Sequence, residues 1–178
     1  MAESTLSTPA GIDTAAIRAA AHNLSDGPVT VGYRGDREAV IAMLNGALAT
    51  ELVCVLRYKR HYYTVSGLQN ASVKAEFLEH AIQEQEHADW LAERIIQLNG
   101  SPDFNPATLP ARSHAEYDES EDVQQMIRAN LIAERVAIES YRQMIEQIGD
   151  SDPTTRQLLT KIMAVEEEHA DDMRDLMQ

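Results

Sequence analysis

The sequence predicts an all-α fold, a bundle of four long helices with one long crossover between the second and third, preceded by an N-terminal extension. Three observations predict it. Apolar residues recur in alternating steps of three and four along four long stretches, the narrow stripe of helices packed side by side. The first and third breaks between stretches are short and force antiparallel neighbours, whereas the middle break is long enough to travel the length of a bundle. Each stretch also carries one glutamate on its otherwise apolar seam.

Residues 1–34 form the extension. They open with Ser, Thr, Ala and Gly, allow a short helix from Thr14 to Asn23, and are broken at Gly27-Pro28. Residues 35–178 form the bundle. Its first helix starts near Asp36, a good N-cap, and ends before Gly67, with the seam Ile41, Leu44, Leu48, Glu51, Val55, Tyr58, Tyr62. The second runs from about Ser72 to Asn99-Gly100, with Phe77, Ala81, Glu84, Ala88, Leu91, Ile95 and Leu98 in line. The third starts near Glu119 and closes at Gly149, with Ile127, Leu131, Glu134, Ile138, Tyr141, Ile145 and Ile148. The fourth opens at Asp152-Pro153, a cap followed by proline at the first helical position, and its seam is Leu159, Ile162, Glu166, His169, Met173, Leu176. The Pro-containing stretch Ser101–Asp118 is the crossover.

Composition narrows the function. One cysteine, Cys54, excludes a disulfide framework, a paired-cysteine zinc or redox motif, and the cysteine set of a rubredoxin centre. No positively charged segment followed by an apolar run opens the chain, and the most apolar run, about Ala39–Leu48, is shorter than a bilayer span and holds Asn45. A soluble cytoplasmic protein without a membrane partner is expected. With 29 acidic against 15 basic residues the formal charge is −14, which repels a phosphate backbone and attracts cations. Residues 1–34 offer only Arg18 and Arg34 as bases, so direct nucleic-acid binding is not expected.

The seam glutamates carry the chemistry. An ionised carboxylate in a bundle core costs several kcal/mol unless it is paired or bound to metal. Lysine and arginine are expected to stay off the seams, leaving Glu51, Glu84, Glu134 and Glu166 without partners of that kind. Histidines do share their faces, since His87 follows Glu84 by three residues and His169 follows Glu166 by three. One such pair means little, since chance alone gives about 0.6 in a chain of this composition. The arrangement means more. Both pairs extend to Glu-His-Ala-Asp, at 86–89 and 168–171, and the paired glutamate follows the lone one by 33 residues in one half and 32 in the other. Tyr58 and Tyr141 each follow the lone glutamate of their helix by seven residues. The chain thus reads as two similar helix pairs, each giving a lone Glu and then a Glu with a His.

Four carboxylates and two neutral imidazoles carry −4, which two divalent ions neutralise. Carboxylate and imidazole suit iron or manganese, with zinc also compatible. Glu84 and Glu166 are expected to bridge the ions and Glu51 and Glu134 to be terminal ligands. Tyr58 and Tyr141 are expected to support those ligands rather than bind metal. Asp89 and Asp171 are expected in solvent, His61 and His80 as ordinary packed or surface histidines with accessory iron binding as the alternative, and Met126, Met144, Met163 and Met173 as core filler. His22 and His114 lie outside the bundle pattern.

These residues resemble the bacterioferritins and related ferritin-like proteins over about 36–177. The resemblance is carried by Glu51 in ELVCVLRY, Glu84 and His87 in EQEHAD, Glu134 in LIAERVAIESY, and Glu166 and His169 in EEEHAD. It implies a ferritin-like bundle binding two iron ions per chain, a ferroxidase that oxidises Fe(II) with dioxygen or peroxide, and a homo-oligomeric shell storing the product. It also implies that Tyr58 hydrogen-bonds a ligand carboxylate. Gln85 stands where bacterioferritins carry the haem-ligating methionine, so haem is not expected, and Gln83 stands where they commonly carry an acid for an inner-surface iron site. The chain stops after the fourth helix, which favours a dodecamer over a larger shell or a dimer. A manganese catalase or an oxygenase on the same ligands is the alternative.

Overall fold

A computed structural model describes residues 11–178, which are helical throughout their regular structure and divide into two compact units between Tyr33 and Arg34. The first contains α1 (Thr14–Ala20), capped by Asp13, whose side chain accepts from the Ala16 amide at 3.0 Å. The helix ends three residues short of Asn23 and buries none of its residues.

The second unit is the bundle, α2 (Arg37–Thr64), α3 (Ala71–Gln97), a single-turn α4 (Leu109–Arg112), α5 (Val123–Ile148) and α6 (Pro153–Asp175). The Asp36 carboxylate accepts from the Ala39 amide at 3.1 Å and Asp152 from Thr155 at 2.9 Å, so both caps form where the sequence places them. The third long helix starts later than Glu119. Asp122 is its cap, accepting from the Gln125 amide at 3.0 Å, while the Asp118 side chain turns the chain by accepting from Ser120 N at 3.0 Å. Gly149, at φ +52°, closes this helix, a conformation that glycine adopts without a Cβ clash.

α2 pairs with α3 and α5 with α6. At one end of the bundle Tyr58, Phe77, Met126, Ile127 and Met173 pack together, with Tyr62 and Leu176 against them. Toward the other end Leu44, Leu48, Leu91, Ile95, Leu98, Ile148, Leu159 and Ile162 are buried, and the glutamates fall between these layers in seam order. Each such side chain contributes about 1.5–3 kcal/mol by leaving water. Met126, Met144 and Met173 are core as expected, while Met163 is only half-buried.

The segment between α3 and α5 is held along α2. Asn45 donates to Ser101 O at 3.2 Å and accepts from Asp103 N at 2.8 Å, and Arg112 donates back to Asn45 O at 3.2 Å. Further along, His114 N donates to Thr50 Oγ1 at 2.9 Å, Arg57 donates to Glu116 O at 3.2 Å, and His61 meets Asp118 at 3.1 Å. An 18-residue window of α2 has a mean hydropathy of 2.0, longer than the Ala39–Leu48 run suggests and long enough to cross a membrane. The bundle accounts for this composition, because α2 buries Val40, Leu44, Leu48, Val53 and Val55 against its neighbours.

Candidate metal centre

The four seam glutamates and two histidines converge in the middle of the bundle, none more than 1% exposed. They form two overlapping groups. Glu51, Glu84, His87 and Glu166 each offer one ligand atom with all four within 4.8 Å of one another, and so do Glu84, Glu134, Glu166 and His169. Glu84 and Glu166 belong to both groups. His87 Nδ1 faces Glu166 at 2.9 Å and Glu51 and Glu84 at 3.4 Å each. His169 Nδ1 faces Glu166 at 3.3 Å, Glu84 at 3.7 Å and Glu134 at 4.0 Å.

The donor set fits a pair of divalent cations. Both oxygens of Glu84 and of Glu166, one oxygen of Glu134, and Nδ1 of both histidines are buried without a hydrogen bond. Buried polar groups are almost always satisfied, so seven such atoms converging on one point call for a cation between them.

The electrostatics of the metal-free chain show how protons occupy this role. Burial, and then the Glu84 charge, raise the Glu51 carboxyl to about 8. Burial and the charges of Glu84 and Glu166 raise Glu134 well above the carboxylate range. Burial and Glu166 push Glu84 up as well, but the close approach of His169, His87 and Glu51 outweighs them and holds it below its ordinary value. Burial alone would lower both imidazoles, yet the surrounding carboxylates raise His87 to about 12 and His169 to about 11.

A ring of side chains holds these ligands from behind. Tyr58 donates to Glu134 and Tyr141 donates to Glu51, so each tyrosine reaches across to the lone glutamate of the other helix pair. His169 Nε2 lies 2.7 Å from Gln83 Oε1 and donates to it, which holds Nδ1 turned toward the carboxylates. The sequence treats Gln83 only as a missing acid; in the fold it fixes a histidine.

Arginine reaches the core from a position beside the seam. Arg57 precedes the seam residue Tyr58, is fully buried, and stands 3.8 Å from Glu134. Asn130 accepts from its Nε at 2.8 Å, and the same amide meets His61 Nδ1 at 3.1 Å. Periodicity could not reveal this, since an arginine beside the seam is ordinarily an exposed one; polar Asn130 on the facing helix is the one sequence signal that could have. His61 is therefore a packed histidine, held between Asn130 and Asp118. His80 is buried too, and its Nδ1 lies 3.1 Å from the Tyr58 hydroxyl. Asp89 accepts from Gln85 at 3.0 Å and Asp171 pairs with Arg174 at 2.6 Å, both on the surface.

A helical bundle whose polar centre is built from glutamate and Glu-x-x-His on paired helices defines a class, and the comparisons name it. Residues 41–178 match the Ferritin-like domain family, and the chain belongs to that family. It is similar to a bacterioferritin from Brucella melitensis, 32% identical over 135 residues that make up 74% of this chain and 78% of the relative. A nutrient stress-induced DNA-binding protein from Synechococcus sp. is 31% identical over 130 residues, 71% of this chain and 74% of that one. Among solved structures, the bacterioferritin-related protein of Bacteroides fragilis, a dodecameric thioferritin, superposes with a TM-score of 0.76 at 33% identity, covering 80% of this chain and 86% of its own.

Proposed function

We propose that the chain is a ferroxidase whose substrate is Fe(II), acting for iron detoxification and storage in a homo-oligomeric shell. The observation that carries this reading is the pair of ligand groups sharing Glu84 and Glu166, with their ligand atoms buried and without hydrogen bonds. Glu84 and Glu166 would bridge two ions, with Glu51 and His87 completing one position and Glu134 and His169 the other. Each Fe(II) gives up one electron. One peroxide takes both electrons and two protons to leave two waters, whereas one dioxygen taking the same two electrons and two protons leaves one hydrogen peroxide. The chain's own residues set the spacing of the ions, balance their charge and exclude bulk water, while Tyr58, Tyr141 and Gln83 hold the ligands in place.

The relationship to a bacterioferritin supports iron as the metal, and the Bacteroides fragilis protein supports a dodecamer as the assembly. One relative is named for DNA binding, but this chain's formal charge of −14 argues against a phosphate backbone as its partner.

Aerobic addition of Fe(II) to the metal-free protein tests the reading, following ferric absorbance and soluble iron per chain. Rapid oxidation continuing well past two irons, with the product in solution, is the expected result. A stop at two would remove storage and favour a di-metal enzyme such as a manganese catalase or an oxygenase. Oxidation no faster than without protein would overturn the ferroxidase reading.

A further inference from the structure

A third cluster lies beside the buried centre and is not needed by the function above. Glu76 and His80, one turn apart on α3, and Asp172 on α6 place one ligand atom each within 4.8 Å of one another. His80 Nε2 is 3.4 Å from Asp172 Oδ2 and 3.6 Å from Glu76 Oε1. The imidazole is 1% exposed, while the Glu76 and Asp172 side chains are 33% and 51% exposed, so the cluster has a buried floor and an open mouth.

Hydrogen bonding fixes what the floor presents. The Tyr58 hydroxyl gives its proton to Glu134, so toward His80 it can only accept, and Nδ1 of His80 at 3.1 Å must be the donor. The neutral ring then carries its lone pair on Nε2, which makes no hydrogen bond among the described residues and points at two carboxylates. A lone pair facing two anions is unfavourable without a cation among them. No lysine or arginine among the described residues pairs with Glu76 or Asp172, whose carboxylates face the neutral His80 ring instead. Burial and then the Asp172 charge already raise the Glu76 carboxyl. One imidazole and two carboxylates, with positions left for water, suit a borderline divalent ion such as Fe(II), Mn(II), Co(II) or Zn(II).

We infer that Glu76, His80 and Asp172 form a third divalent-cation site, partly open to solvent, next to the buried pair. The His80 ring stacks on His169 with centroids 4.0 Å apart, so the site adjoins a ligand of the centre. An ion held there is one imidazole layer from the buried positions, with water on its other side. Its use as a staging point for Fe(II) rests on the ferroxidase reading; the binding site itself does not.

Anaerobic equilibrium dialysis of the metal-free, full-length protein against Co(II) tests this, with two double variants beside the parent chain. Glu76→Gln with Asp172→Asn removes the outer carboxylates, both substantially exposed, and Glu84→Gln with Glu166→Gln removes the shared ligands of the centre. The expected counts are three ions for the parent chain, two for the outer variant and one for the inner variant. A parent chain that binds one ion, lost in the outer variant, would keep the third site while removing the buried pair. Two ions in the parent chain, or three that persist in the outer variant, would overturn the third site.

Discussion

The α2–α3 pair and the α5–α6 pair contribute the same glutamate and histidine side chains in the same order, yet the protein supports them differently. Glu51 and His87 on one side match Glu134 and His169 on the other, and each lone glutamate receives a tyrosine from the opposite pair. There the symmetry stops. Glu134 also has the buried Arg57 guanidinium at 3.8 Å, His169 donates to Gln83 at 2.7 Å, and His169 is stacked on His80. His87 packs at a tilt against Trp90, ring centroids 5.4 Å apart, and that indole is itself covered by the Lys161 ammonium at 3.4 Å. A repeated ligand motif therefore encodes two positions of unequal character. The α5–α6 position is tightly oriented but faces a fixed positive charge; the α2–α3 position is looser and free of that charge.

The largest effect expected removes what the halves share. Glu166→Ala should abolish saturable binding of two ions and reduce Fe(II) oxidation to the protein-free rate, as read by stopped-flow absorbance, because the carboxylate belongs to both ligand groups. Retention of half the activity would show that the two positions work independently.

The next variants separate the halves. Arg57→Met leaves Asn130 and the Glu116 carbonyl without their donor and should cost the metal-free protein about 1–3 kcal/mol for each acceptor by chemical unfolding. The same change should tighten the ion nearer Glu134, since a buried positive charge is gone. Gln83→Leu removes the acceptor that orients His169 and should weaken binding at that position about 10–100-fold. Trp90→Phe, which alters no hydrogen bond to His87, should leave the other position unchanged in the same anaerobic titration.

The tyrosines should have effects close to that of Gln83→Leu. Each of Tyr58→Phe and Tyr141→Phe removes one hydrogen bond to a charged group, about 1.5–3 kcal/mol. Tyr58→Phe should be the more costly for metal affinity, because it also leaves His80 Nδ1 without its partner. Equal losses would mean that His80 plays no part.

What the sequence makes legible follows from what periodicity can carry. The four helices, their caps at Asp36 and Asp152, and the convergence of Glu51, Glu84, His87, Glu134, Glu166 and His169 all depend on spacing along a helix, which a single sequence records. The later start of α5 depended on which of several acids caps it, a local competition that Asp122 wins. The supporting residues were beyond reach for another reason. Gln83, Arg57, Asn130 and His80 matter through contacts between helices, and their rotation about the bundle axis is set by packing rather than by their own spacing. Arg57 is the clearest instance, one position from a seam residue in sequence and fully enclosed in the fold.

On the proposed reading, loading the buried centre with two divalent cations displaces its protons without a net change in its charge. pH 7 lies below the values of the imidazoles, raised to about 12 and about 11, and of the Glu51 carboxyl, raised to about 8, so these three hold protons, while burial and the charges of Glu84 and Glu166 raise the Glu134 carboxyl well above the carboxylate range. Anaerobic Fe(II) loading of the Glu76→Gln, Asp172→Asn variant in a pH-stat should release about four protons per two ions at pH 7, because metal ligands must be deprotonated. Above pH 8, where Glu51 has already lost its proton, the release should fall toward about three. Binding of two ions with no proton release at pH 7, or release that does not saturate at two ions, would contradict the claim.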